Sequence, residues 1–285
     1  MKKVIISFVA LATICSVQTA SAWGGWAHKL IATIAETHLT PEAKAQTEKY
    51  LGSPIYDHAT WMDKVPLWNK KRIPGWEQTS WWHMCTVDRV GKKNFVLSDK
   101  RGSNGDGDLY PNLVKCVENL KNYRNLTDSA VMINLKCVIH MVGDMHCPCH
   151  IYYTEFEDCF SRKINGKRYR RHDQMYVYYN GKKTTSHRVW DGLSIREIWP
   201  DYGADYELFR KALDKTSPKK QAKMCKGTIE EWVLQNAKDC RYIYDLVKPN
   251  DHIDRAFLLD NQKLSKQQCL RASYRLAYIL NECFK

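Results

Sequence analysis

The sequence predicts a mostly α-helical chain folded as a single domain with few short strands, and three observations carry that prediction. Apolar residues recur at helical spacing over several long segments, helix-start signals precede them, and β-type alternation is scarce. Leu30, Ile31, Ile34, Ala35 and His38 form the first helical stripe. Thr40-Pro41-Glu42 then restarts the chain, with a hydroxyl to cap the helix and a proline at its first position, where the missing N–H loses nothing. Leu109 to Tyr123 and Ser129 to Met145 are two further periodic segments. Thr228 with Glu231, and Ser265 with Gln268, read as capping boxes ahead of helices running to about Val247 and Phe284. Tyr176 to Tyr179 followed by Asn180-Gly181 predicts half of a hairpin. The stretches 101–108 and 159–173 predict long loops, and no repeat, low-complexity tract or interdomain linker interrupts the chain.

The N-terminus predicts export. Lys2 and Lys3 form a basic start, Val4 to Val17 is mostly apolar, and Ala20-Ser21-Ala22 is the small-residue pattern that signal peptidase accepts. Cleavage after Ala22 would separate a signal peptide, 1–22, from a domain at 23–285 that begins with Trp23. No other stretch approaches the roughly 18 apolar residues of a membrane span, so no integral membrane segment is expected after cleavage. Removing Cys15 leaves ten cysteines, an even number that predicts a secreted, disulfide-braced fold with up to five bridges and undetermined pairing. Asn125-Leu126-Thr127 is a glycosylation sequon, which adds a weak expectation of a glycoprotein. The formal charge of +13 falls to +11 without the leader lysines. A basic exported protein attracts nucleic acid, anionic glycans and anionic membrane alike, or the excess serves solubility alone.

The richest stretch is His140-Met141-Val142-Gly143-Asp144-Met145-His146-Cys147-Pro148-Cys149-His150. His140 and Asp144 lie four apart on one helical face, and Pro148 ends the helix and turns His150 back towards them. A carboxylate and two imidazoles on one side of a helix end suit zinc, although a lone histidine on an apolar helix is more often a core residue. His187 and Asp191 repeat the four-residue spacing. No activated serine or cysteine stands out as a nucleophile.

In these residues the chain resembles the S-one/P-one family of zinc-dependent single-strand nucleases, also called class I nucleases or 3′-nucleotidase/nucleases. The likeness spans nearly all of 23–285. It is carried by Trp23-Gly24 with His28, Trp61-Met62-Asp63, Trp82-His83, the 140–150 stretch, His187 to Asp191, and Arg275 to Asn281 in the last helix. The resemblance implies the helical fold of phospholipase C and the single-strand zinc nucleases, with three zinc ions. Asp63, His83, His140 and Asp144 would hold one. Trp23, through its amine and carbonyl, would hold a second with His28 and a shared Asp144. His150, His187 and Asp191 would hold the third. The implied reaction is hydrolysis of single-stranded DNA and RNA to 5′-phosphate products, together with 3′-nucleotidase action on 3′-nucleotides. Its nucleophile would be a hydroxide held by a zinc pair, with Asp63 and Asp144 as the catalytic carboxylates. Leader cleavage would then manufacture a metal ligand at Trp23.

Two features depart from the family. A short Asp- and Gly-rich turn ending in Asn usually follows the helix-end histidine; here the stretch 162–174 is longer and basic, with Lys163, Lys167, Arg168, Arg170, Arg171, His172, Asp173 and Gln174. It reads either as a phosphate clamp or as a solvated charge run, and no substrate-binding residue is assigned. Cys147 and Cys149 flank Pro148; oxidised they would brace the ligand loop, and reduced they are soft thiolates that could compete for zinc. Ten Trp and sixteen Tyr can stack on unpaired bases, though most are expected in the core. A zinc phospholipase C and a non-enzymatic binding protein on the same scaffold are the alternatives.

Overall fold

The computed structural model describes residues 23–64, 79, 82–99, 108–156, 161–164, 167–170 and 175–285. The stretch 1–22 expected to be a leader, residues 101–107, Cys159 and the Arg171–Gln174 part of the basic stretch lie outside the described residues. The fold is mostly helical, as expected. Its helices are α1 (Gly25–Glu36), α2 (Pro41–Leu51), α3 (Ile55–His58), α4 (Leu109–Lys121), α5 (Asp128–His146), α6 (Tyr206–Leu213), α7 (Pro218–Met224), α8 (Ile229–Cys240) and α9 (Arg255–Cys283). Short helical turns run through Ser186–Arg188, Val189–Leu193 and Ser194–Arg196.

Several starts are set by the side chains the sequence points to. Thr40 accepts from the Ala43 N–H at the head of α2, and Thr228 and Glu231 close a reciprocal capping box on α8. That helix stops at Cys240, short of the expected end, and tightens into a 3₁₀ turn at Arg241–Tyr244. The second expected capping box does not exist. Ser265 and Gln268 lie inside α9, buried, and the true cap is Asp254, whose side chain accepts from the Phe257 N–H. Their polar groups turn inward instead: the Gln268 amide donates to Cys240 Sγ at 3.0 Å.

Helices α4 and α9 both pack on α5, and α1 packs on α9, so α5 runs through the centre. Leu30, Ile31 and Ile34 from α1, Leu135 and Val138 from α5, and Leu276 and Leu280 from α9 are buried in one core. Each such side chain contributes about 1.5–3 kcal/mol by leaving water. Among the described residues three small sheets decorate this core. The first is ordered β2-β1-β3, from β1 (Cys85–Val90), β2 (Asn94–Leu97) and β3 (Ile151–Tyr153). Its β1–β3 pairing is parallel, with Cys85 opposite Ile151, so His83, two residues before β1, and His150, directly before β3, are drawn to the same end. A two-stranded hairpin, β4 (Ser161–Ile164) with β5 (Lys167–Arg170), occupies part of the stretch read as a loop. Backbone pairing there overrides the turn-like, charged sequence.

The third sheet is ordered β7-β6-β8, from β6 (Tyr176–Tyr179), β7 (Lys182–Thr185) and β8 (His252–Ile253). Asn180 and Gly181 take φ of 48° and 74°, the left-handed pair that a two-residue hairpin needs. No helix among the described residues is long and apolar enough to cross a membrane. No disulfide forms among the nine described cysteines, and the bracing expected from export is not found among them.

Candidate metal centre

The last turns of α5 bring His140 and Asp144 onto one face and bury both completely. Four imidazoles converge on the Asp144 carboxylate. His28 Nε2 and His150 Nδ1 each lie 3.1 Å from Oδ1. His83 Nδ1 lies 2.7 Å and His140 Nε2 3.1 Å from Oδ2. Asp63 completes this half of the site, with Oδ1 at 3.5 Å from His140 Nε2 and 4.0 Å from His83 Nδ1.

Helix α1 delivers His28 by close approach. Its ring lies over Gly143, where a Cβ would sit 2.5 Å from Nδ1, and it stacks on the His140 ring at 4.1 Å. A side chain at 143 would push the imidazole off the cluster.

The tautomer of His140 decides what the cluster can hold. Its Nδ1–H donates to the Ala59 carbonyl at 2.8 Å, which leaves Nε2 facing Asp63, Asp144 and, at 3.2 Å, His83 Nδ1. A neutral His140 therefore points a lone pair at two carboxylates, an arrangement that is repulsive without a proton or a cation between them. The pKa directions report the same demand. Burial would lower His140, but Asp144 and Asp63 outweigh it and raise it well above the usual imidazole value. Burial would likewise raise Asp144, yet His140 and His150 hold it well below the ordinary carboxylate range. His28, by contrast, is lowered by burial and by His140. A fixed imidazole with its far nitrogen on a backbone carbonyl is the support that metal-ligating histidines receive. His28, His140 and Asp144 form one group of converging donors, and Asp63, His83 and His140 another.

A third group lies past the helix end. Cys147 N–H donates to the Asp144 carbonyl and His150 N–H to the Cys147 carbonyl, which folds the chain over Pro148. His150 Nε2 then sits 3.2 Å from Asp191 Oδ1, so this one ring joins the two carboxylates. His187 stacks on His150 at 5.0 Å, and its Nε2 is 3.9 Å from Asp191 Oδ2. Asp191 is buried, and burial pushes its carboxyl up to about 6. The Val189–Leu193 segment carrying it is a π turn, a form enriched at functional sites.

Trp23 is fully buried at this end, and the next residue, Gly24, donates its N–H to the Asp191 carbonyl at 2.6 Å. All nine residues singled out in the sequence thus meet in one connected region, with Trp23 placed through its neighbour. Pattern reading alone missed the Ala59 carbonyl, which carries no side-chain signal, and the fit of His28 over Gly143. His146, within the same stretch, stands apart. Its Nδ1–H donates to the Val142 carbonyl and its Nε2 accepts from Arg275, both at 2.8 Å. Burial and Arg275 lower it well below the usual value, so it stays neutral and structural.

Residues 23–285 match the family described as S1/P1 Nuclease. The chain belongs to the S1/P1 nuclease family. Nuclease S1 of Aspergillus oryzae (strain ATCC 42149 / RIB 40) is 20% identical to it over 302 residues, covering 94% of each protein. Membership in the S1/P1 nuclease family supports a hydrolase acting on nucleic acids, and the buried His, Asp and Cys groups are the metal-binding candidates within it.

Proposed function

We propose that this protein is an exported, zinc-dependent nuclease that hydrolyses single-stranded DNA and RNA to 5′-phosphate products and removes the phosphate of 3′-nucleotides. The observation that carries the reading is the convergence of four imidazoles on the buried Asp144 carboxylate, with the Ala59 carbonyl holding the His140 proton away from it. Nitrogen and carboxylate donors at these spacings fit zinc. Asp63, His83, His140 and Asp144 would hold one ion, and His28 with Asp144 and the Trp23 amine and carbonyl a second. The third falls to the cluster around His150, His187 and Asp191. Bound there, zinc supplies Lewis acidity and a water acidic enough to act near neutral pH.

The chain's own residues do the positioning. Asp144 serves both halves of the site, one oxygen towards His83 and His140 and the other towards His28 and His150. Asp63 adds the second carboxylate, and with Asp144 it carries the catalytic assignment. The stacked His28 and His140 rings and the packing over Gly143 keep the donors from swinging apart. Cleavage of the leader after Ala22 would free the Trp23 amine, making export a condition of activity.

The test is hydrolysis of single-stranded DNA by protein beginning at Trp23, run beside a chelator-treated sample and a version with one extra serine before Trp23. Cleavage lost in both controls supports the reading. Cleavage that survives the added serine removes Trp23 from the ligand set, and no cleavage by fully metallated protein sinks the nuclease assignment. A free α-amine has a pKa of about 7.7–8.0 and binds metal only when neutral. Mild acid should therefore release the ion shared with His28 early, and constant zinc content from neutral to mildly acid pH would count against that role.

A further inference from the structure

The expected donors of the third ion are two imidazoles and a carboxylate, yet two sulfurs occupy the same spot. Cys147 and Cys149 are fully buried, and the donor atoms of Cys147, Cys149, His150 and Asp191 all lie within 4.8 Å of one another. Their Sγ atoms are 3.4 Å apart. Cys147 Sγ is 3.7 Å from Asp191 Oδ1, the same oxygen that His150 Nε2 approaches at 3.2 Å. Two thiolates, one imidazole and one carboxylate bound tetrahedrally to zinc would be separated by roughly 3.3–3.8 Å, as follows from zinc bond lengths of about 2.0–2.3 Å. The three separations given above fall close to that range. Cys149 Sγ also lies 3.5 Å from the His187 carbonyl, which lines the same spot.

We propose that Cys147 and Cys149 are ligands, and that with His150 and Asp191, and in place of the His187 donor assigned to the third ion above, they form a closed, sulfur-containing zinc site at the end of α5. The proposal rests on the reading that this region holds metal, and it is independent of which ester is hydrolysed. The local chain is built for it. The turn over Pro148 presents residues 147, 149 and 150 to one side, and Gly24 fixes the Asp191 backbone from behind. His150 Nδ1 lies 3.1 Å from Asp144 Oδ1, so a carboxylate backs the ring while its Nε2 approaches Asp191 Oδ1. His187 then stands beside the site, stacked on His150, with its Nε2 near the other Asp191 oxygen. Four protein donors leave no open position, so this ion would be structural, bracing the helix end where a disulfide was expected. Thiolates also select soft or borderline ions such as zinc, cobalt or cadmium over magnesium or calcium. The two clusters would therefore differ in which metals they accept.

The experiment is zinc X-ray absorption on the reduced protein beginning at Trp23, paired with cobalt reconstitution and with single-stranded DNA hydrolysis on the same samples. The expected result is a sulfur shell at about 2.3 Å beside the nitrogen and oxygen shell at about 2.0–2.1 Å. Cobalt loading should give a near-ultraviolet thiolate charge-transfer band. That band should fall by half in Cys147→Ser or Cys149→Ser and vanish in the double variant. In the double variant one ion should bind more weakly by about 10–100-fold or more, while the others are retained. A nitrogen-and-oxygen-only shell in metal-loaded wild type overturns the proposal without relying on any variant. So does a charge-transfer band that persists in a folded double variant, or, in protein kept unreduced, a mass two hydrogens low with a Cys147–Cys149 disulfide found by peptide mapping. Hydrolysis with no sulfur shell leaves the nuclease standing and removes this site; a sulfur shell without hydrolysis does the reverse.

Discussion

Helix α5 carries two buried histidines six residues apart, and they could hardly be more different. His146 is satisfied at both nitrogens, by the Val142 carbonyl and the Arg275 guanidinium, and it faces a cation. His140 is satisfied at one nitrogen by Ala59 and aims the other at two carboxylates and a third imidazole. Burial is complete for both, so burial does not separate a fully satisfied histidine from a candidate metal donor here. The separating feature is the sign of what surrounds the free lone pair. Arg275 fills the first with a donor, and the second gathers acceptors that only a proton or a metal ion can reconcile.

The largest expected effect comes from neutralising the acceptors. Asp144→Asn removes the carboxylate that four rings share; zinc by elemental analysis should fall from about three ions per chain to about one, and hydrolysis of single-stranded DNA should fall by about 100-fold. Full metal content in that variant would place the ions elsewhere. On the other side of the comparison, Arg275→Met deprives His146 Nε2, the Gln235 side-chain oxygen and the Met224 carbonyl of their donor. Stranding these groups should cost about 3 kcal/mol in denaturant unfolding and leave the metal stoichiometry of the folded protein unchanged. A loss of metal equal to the loss in Asp144→Asn would merge the two histidines into one system.

Asp191 sharpens the contrast through pH. Its carboxyl is pushed up to about 6 from 3.8 by burial, so between those values the folded chain holds the proton more tightly than the unfolded one. Ionisation through that window lowers the stability of the metal-free protein, and the loss persists at higher pH. Asp191→Asn never ionises. Metal-free variant and wild type should be similar near pH 4, and the variant should be more stable by about 2 kcal/mol at pH 7.5. A thermal-melt difference that does not change with pH would reject the assignment. The smallest effect is expected from His146→Gln, which keeps a donor and an acceptor. It should cost about 1 kcal/mol and spare both metal and activity, as activity assays beside the melts would show.

The sequence made the donor set legible because metal ligands have distinctive side chains at helical spacing. His140 with Asp144, and His187 with Asp191, are visible four residues apart, and Pro148 marks the point where the chain must turn. The Asn180-Gly181 hairpin and the Thr40 and Thr228 caps were equally readable, since each rests on a local backbone requirement. Ser265 and Gln268 imitate such a signal inside α9, and only their burial within the helix, with Gln268 bonded to Cys240, shows the imitation. The pairing of β4 with β5 escaped because strand pairing depends on a partner rather than on composition.

By itself, then, the sequence determined which atoms could bind metal and that they ride on a helical domain, because residue type and period are local properties. The tertiary structure alone decided that His146 stands apart from those candidate donors while His28 reaches Asp144 across Gly143. It also decided that two sulfurs share the Asp191 cluster. Each of these outcomes depends on a partner supplied from a distant segment, Arg275, Gly143 or Asp191. Only packing fixes whether that partner offers a cation, a space or an acceptor.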